Sequence, residues 1–437
     1  MDNKIKEKKS GKFLATLIIF SLIGQVAWVV ENMYFNVFIY NMFSASETQI
    51  SLMVGASSVA ATLTTLLVGA LSDKVGKRKI FICLGYILWG VSILAFALVR
   101  ADIIGGLFPT VASVSAVCIT ITIILDCIMT FFGSSANDAC FNAWLTDSTT
   151  EKNRGMAEGI NAMMPLMAIL VVFGGAMLIP IKNTEISYWT IVFCVIGTLV
   201  ILIGALGFFI IKDPKIETQG NQNYFGNIIY GFKPSVIKSN PLLYIYLLLF
   251  TVFGISIQVF MPYLIIYYER GLQMADYVFI MAPAIVLAAV FTAIWGRIYD
   301  KWKFNKTIIV SVALLIIGYV ILFFTSGKVP VFIGSLLMMC GFLSGNAVFG
   351  AVIRDNTPEN KSGMFQGLRI VGQVLIPGIV GPAIGAFVLR DAEKVLIDGV
   401  STFIPNASIF MGALVVALVL CLLLVGAYFL IRRLKKG

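Results

Sequence analysis

The sequence predicts an all-α polytopic membrane protein with twelve transmembrane helices in two pseudo-symmetric six-helix halves. Three observations lead there. Of the 437 residues, 59% are hydrophobic and only 12% charged, with a mean hydropathy of +0.95. Soluble domains carry roughly 25% charged residues, and a globule in water cannot hide this much apolar surface. Apolar stretches close to the roughly 20 residues that a span requires occur twelve times. Finally, the chain repeats itself.

The spans fall near 13–41, 49–72, 79–99, 113–146, 157–179, 188–211, 241–268, 276–299, 306–326, 329–354, 366–390 and 406–432. The apolar run after the Lys-rich start is too long for a signal peptide and lacks a small-residue cleavage site, so it reads as an uncleaved first span. The fourth exceeds what a bilayer needs and is expected to tilt, bend or project. Of the 32 Lys and Arg, 25 fall on one side of this arrangement and six on the other, with Arg369 inside a span. The basic excess marks the cytoplasmic side and puts both termini there, at a cytoplasmic membrane.

Shifting the chain by 208 residues lays 133–159 on 341–367 with ten identities, among them Gly133/Gly341, Phe141/Phe349, Asp147/Asp355 and Gly155/Gly363. Shifting it by 227 lays Gly69-x-x-x-Asp73-Lys74 on Gly296-x-x-x-Asp300-Lys301. Two matches in the same order imply a duplicated six-span unit in parallel orientation. The halves are expected at 1–211 and 241–437. A cytoplasmic linker at 212–240 joins them, either as an interfacial helix through Tyr224, Phe225, Ile228, Ile229, Phe232 and Ile237 or as a plain connector.

Composition excludes most other classes. With no His in the chain, Ser-His-Asp and Cys-His catalysis and His-based zinc sites are ruled out. The seven Cys lie in apolar runs without a Cys-x-x-Cys and read as buried hydrophobes. No phosphate-binding Gly-x-x-x-x-Gly-Lys-[Ser/Thr] occurs, which argues against a nucleotide-driven pump. The net charge of +10 sits in short loops, so it encodes topology and not nucleic-acid binding. No enzyme, cofactor or metal centre is expected.

The segment Gly69-Ala-Leu-Ser-Asp73-Lys74-Val-Gly76-Lys77-Arg78-Lys79 resembles the loop signature of the major facilitator superfamily, with a degenerate copy at 296–306. The resemblance covers nearly the whole chain and implies that family's fold. A finer resemblance is to the glycoside–pentoside–hexuronide:cation symporters, the melibiose-carrier-like branch. It rests on Asn142-Ala-Trp144-Leu-Thr-Asp147-Ser-Thr-Thr-Glu151-Lys-Asn-Arg154-Gly155 and on Arg354-Asp355-Asn-Thr-Pro-Glu359-Asn-Lys361. That family carries acidic residues for sugar and cation in spans one, two and four. Glu31 and Asp138 match in spans one and four, whereas Ala61 and Thr65 stand where span two would carry Asp.

Ionisable groups at membrane depth are costly and therefore candidate functional groups. Glu31 lies in a polar stripe with Gln25, Trp28, Asn32 and Asn36, at the spacing of one helix face. It either lines a water-filled cavity or bonds, protonated, to a neighbouring helix. Asp138 has Asn137 beside it and Asn142 one turn on, and its partner in the repeat is Asn346. Arg369 shares a face with Gln366 and Gln373; it either pairs with a carboxylate or snorkels to the surface. Asp126 and Glu158 read as interfacial or gating. The expected solute and cation site comprises Gln25, Trp28, Glu31, Asn32, Asp138, Asn142, Gln258, Asn346, Arg369 and Gln373. The expected cytoplasmic gate comprises Asp73, Arg78, Asp147, Arg154, Asp300 and Asp355.

The reading is a secondary active carrier of a small polar solute, a sugar or glycoside, working by alternating access. A proton is expected as coupling ion in preference to sodium, since one buried carboxylate suffices for a proton whereas sodium needs several converging oxygens. Besides solute, cation and lipid bilayer no partner is expected, and the chain is expected to be monomeric. An exporter of amphipathic compounds is the alternative, and a transport-dead membrane sensor a more distant one.

Overall fold

In lipid each backbone N–H must find its acceptor within its own segment, so apolar runs of spanning length become helices. The computed structural model describes residues 2–149, 151–213, 230–357, 362–397 and 400–434; the side chains of Asp73, Arg154, Glu158 and Gln366 lie outside that description. Among the described residues, eleven helical stretches are long and apolar enough to cross a membrane. One of them, Val278–Phe324, breaks at Lys303, where φ is 59° and ψ is −179°. Divided there, it supplies spans eight and nine, and the set becomes twelve.

Local signals set several ends. Ser46 and Gln49 cap each other at the start of span two: Gln49 Oε1 accepts from the Ser46 amide at 2.8 Å and Ser46 Oγ from the Gln49 amide at 3.2 Å. Span one stops at Ser44, whose φ of 53° cannot continue a right-handed helix. Asn240-Pro241 starts span seven with proline in the first turn.

Among the described residues, four spans contain a π-helical segment: Val30–Tyr34 in span one, Ser134–Phe141 in span four, Tyr267–Gly271 in span seven and Val371–Leu375 in span eleven. The length of span four, Val114–Asp147, is thus accompanied by a local change of helical pitch.

The chain divides into two compact units, Met1–Ala45 with Val59–Tyr224, and Ser46–Ser58 with Phe225–Gly437. Within the first, spans three and six touch through glycine: a Cβ on Gly90 would lie 2.5 Å from the Gly197 carbonyl oxygen. Phe35, Phe38, Phe96, Trp189 and Phe193 form its aromatic core. Within the second, a Cβ on Gly318 would lie 2.5 Å from the Met338 amide, and Tyr263, fully buried, donates to the Glu47 carbonyl at 2.8 Å. Between spans eleven and twelve Lys394–Ile397 and Val400–Phe403 pair as an antiparallel hairpin, which the all-helical expectation passed over. Most of the expected linker, including Tyr224, Phe225, Ile228 and Ile229, lies outside the described residues; its last part holds a short helix, Pro234–Ser239.

Candidate functional site

In the first unit the π segments of spans one and four carry Glu31 and Asp138. A π segment inserts one residue and re-aims the side chains around it, and such segments concentrate at functional sites. Glu31 is 7% exposed, and Thr130 donates to its Oε1 at 2.8 Å. Its Oε2 is enclosed and meets no hydrogen-bond partner. Asp138 is half-buried and accepts from Ser134 Oγ and Asn137 Nδ2, each at 3.1 Å. Asn137 Oδ1 in turn accepts from Tyr86 at 3.0 Å, and the same phenol reaches the Phe20 carbonyl at 2.8 Å. Gly24 makes this approach possible, because a Cβ there would lie 2.5 Å from Asn137 Oδ1.

Trp28 and Trp89 flank the cluster with ring centroids 5.0 Å apart, and neither indole N–H has a regular hydrogen bond, although Trp28 lies beside the Asp138 carboxylate. Buried polar groups are nearly always satisfied. Glu31 Oε2 and the Trp89 indole N–H are the exceptions in this cluster, enclosed without a hydrogen-bond partner. Asn32 and Asn142 are exposed and bond back to the carbonyls of Trp28 and Asp138. Gln25 is half-buried.

At the Lys/Arg-rich end of the first unit, Arg78 is buried. Its Nε donates to Asp147 Oδ2 at 3.2 Å and its Nη1 to Ser72 Oγ at 2.5 Å, tying the start of span three to the ends of spans two and four. The backbone of Asp73 lies in this helix end, but the side chains of Asp73 and Arg154 are outside the description.

In the second unit, Gln258, Asn346 and Gln373 are half-buried. Gln258 abuts span eleven so closely that a Cβ on Gly381 would lie 2.4 Å from its own. Gln373 sits on the π segment of span eleven. Arg369 keeps its Nε buried without a hydrogen-bond partner, and another cation, Arg354, acts on it electrostatically. At the Lys/Arg-rich end a cavity of about 290 Å³ is lined by Tyr299, Asp300, Lys303, Arg354 and Asp355 among others. Tyr299 donates to Asp355 there at 2.9 Å.

Outside the spans, Asp276 is held below the usual carboxylate range by its hydrogen bond from Lys328 at 2.5 Å, and Asp102 likewise by Arg100. The sequence reading left Asp126 out of the solute and cation set. It is 2% exposed and acts electrostatically on Glu31, although its position in a long span suggested an interfacial or gating residue. The available signal was the series Thr122, Asp126, Thr130 and Ser134, spaced by four along one face of span four.

A family model for the Major Facilitator Superfamily matches residues 13–382. Among solved structures, the chain is similar to a variant of the nucleoside transporter NupG, at 12% identity over 94% of this chain and 98% of that one, with a TM-score of 0.71. It is also similar to a bacterial homolog of the human lysosomal transporter Spinster in an inward-facing, occupied conformation, at 18% identity over 97% of each chain and a TM-score of 0.67. The xylose transporter XylE from E. coli gives 13% identity over 93% of this chain and 96% of that one, with a TM-score of 0.69. No curated protein sequence matches. Identities this low carry the fold, while the family match extends over most of the chain and ten of its spans. The chain belongs to the major facilitator superfamily.

Proposed function

We propose that this membrane protein is a secondary active transporter that imports a small polar solute bearing a ring of hydroxyls, a sugar or glycoside, together with a proton. The observation that carries the reading is the polar cluster of Glu31, Asp138, Trp28 and Trp89, enclosed in apolar helices with hydrogen-bonding atoms left over. Sugar sites pair an aromatic face with a few polar groups that fix the hydroxyls, and indole N–H and carboxylate oxygen are the donor and acceptor required. Two of the similar structures are a nucleoside transporter and a D-xylose-proton symporter, which supports a hydroxyl-bearing solute.

The segments at 142–155 and 354–361 favour the melibiose-carrier-like branch. Ala61 and Thr65 in span two supply no carboxylate for sodium, which favours the proton. The basic excess in the loops orients both termini to the cytoplasm. The test is uptake into proteoliposomes of D-xylose, melibiose and a nucleoside under an imposed pH gradient, with sodium replaced by choline. Accumulation driven by the gradient without sodium is expected. Accumulation that needs sodium and ignores the gradient overturns the proton reading, and transport of none of these solutes overturns the hydroxyl-ring reading.

A further inference from the structure

Asp126 takes no part in the solute reading, yet it is among the most deeply buried charged side chains described, at 2% exposure. It precedes Thr130 by one turn on the same face of span four. Thr130 donates to Glu31 Oε1 at 2.8 Å, so this face of span four is directed at Glu31. The charges acting on Glu31 are both acidic, Asp126 before Asp138, and Cys127 is a further neighbour. Spans five and six bring no Asp, Glu, Lys or Arg between 160 and 177 or between 186 and 210. From span three Tyr86 faces Asp138.

The two neighbours of Glu31 differ. Asp138 is half-buried and has two donors to hold its charge. Glu31 has one donor, and Oε2 has none. An anionic oxygen buried without a donor, beside a second carboxylate, is strongly disfavoured. A proton on Oε2 turns a stranded acceptor into a donor.

We propose that Glu31 and Asp126 form a carboxylate pair holding one proton between them, and that this pair carries the coupling proton while Asp138 addresses the solute. The inference rests on the proton-symport reading and deepens it. Uptake places a proton from water on a carboxylate oxygen of the pair; release returns it to water and leaves two like charges together, so the proton departs only when water enters the site.

The test is infrared difference spectroscopy of the full chain in lipid at neutral pH, in water and in deuterium oxide. The wild type is expected to show a carboxylic-acid carbonyl band that shifts on deuteration. Glu31→Gln and Asp126→Asn each abolish it, Asp126→Glu restores it, and Asp138→Asn retains it. Absence of the band in the wild type, or its survival in Asp126→Asn, overturns the pair. Should Asp126→Asn not fold, titration of the wild type decides: the pair loses its protons in two separated steps, and a single step overturns it. The symport reading is scored separately, with D-xylose and a nucleoside as probes and a pH-sensitive dye inside the vesicles. Solute uptake without proton movement, in a protein that shows the band, overturns symport and leaves the pair. Proton-coupled uptake without the band overturns the pair and leaves symport.

Discussion

Lys303 adopts a φ of 59° where Gly76, its counterpart at the 227-residue offset of the internal repeat, adopts 68°. Both residues close a short connection between consecutive spans, two to three and eight to nine. Glycine pays nothing for this conformation, whereas a lysine with φ near 60° and ψ near 180° is strained by about 1–3 kcal/mol. Lys303→Gly is therefore expected to stabilise the protein by about 1 kcal/mol, part of the relief being offset by the greater freedom of glycine in the unfolded chain. Gly76→Ala is expected to cost a similar amount. Thermal denaturation in detergent measures both, and destabilisation by Lys303→Gly contradicts the assignment.

The same offset places Tyr299 at the position of Ser72, and the 208-residue offset places Asp355 at that of Asp147. In the first unit Arg78 bridges Ser72 and Asp147. In the second, position 305 is Asn, and the longer phenol of Tyr299 reaches Asp355 directly. Arg78→Met is expected to cost about 2–3 kcal/mol and Tyr299→Phe about 1 kcal/mol, since the first removes a buried charged hub and the second a single partly exposed bond. Arg78→Lys should not rescue, because an ammonium is a point donor while the guanidinium serves two acceptors at once. Denaturation midpoints of the three variants rank these effects.

Gly90 and Gly175 provide a paired test of packing. A Cβ on Gly90 meets backbone, 2.5 Å from Gly197 O and 2.8 Å from Ile201 N, whereas one on Gly175 meets nothing within 4 Å. Gly90→Ala is expected to destabilise by at least about 2 kcal/mol, because two backbones must separate. Gly175→Ala is expected to be neutral or to stabilise by up to about 1 kcal/mol through helix propensity. Equal melting temperatures for the two variants refute this packing of spans three and six.

The Asp276–Lys328 contact makes a pH prediction. Asp276 is held below its ordinary value of 3.8, first by the hydrogen bond from Lys328. A carboxylate lowered on folding contributes stability that is complete above the unfolded value and disappears as pH falls through the folded one. The melting temperature of Lys328→Met should thus lie below that of wild type near neutrality and converge with it as the pH falls below the ordinary value of 3.8. A constant gap across that range excludes the linkage.

Tyr86→Phe removes the donor that holds Asn137 Oδ1 and with it the orientation of the amide toward Asp138. Solute affinity is expected to fall about tenfold, equivalent to about 1.4 kcal/mol, with the coupling ratio unchanged. Loss of coupling at unchanged affinity would assign the network to the proton.

The spans and their repeat were legible because hydrophobic length and recurrence are properties of the chain alone. Glu31 and Asp138 were legible for the same reason, as polar residues in apolar surroundings. The nearness of Asp126 to Glu31 was not, since it exists only once spans one and four pack. The break between spans eight and nine was legible in the charged stretch from Asp300 to Lys306, although Trp302-Lys303-Phe304 contains neither Gly nor Pro to single out Lys303 as its turning point. The hairpin had a signal in Asp398-Gly399, a dipeptide favoured in tight turns between strands.

Each π segment also changes the arithmetic of orientation. An α-helix advances by about 100° per residue, so one extra residue turns everything beyond it by that angle relative to a regular wheel. The polar series from Gln25 to Asn36 crosses such an insertion. Asn36, which a wheel drawn on the sequence sets beside Trp28 and Asn32, is swung onto another side of span one, where it is 1% exposed with its Oδ1 unsatisfied. Deleting a single residue from Val30–Tyr34 would rewind the helix and exchange the faces presented by its two ends.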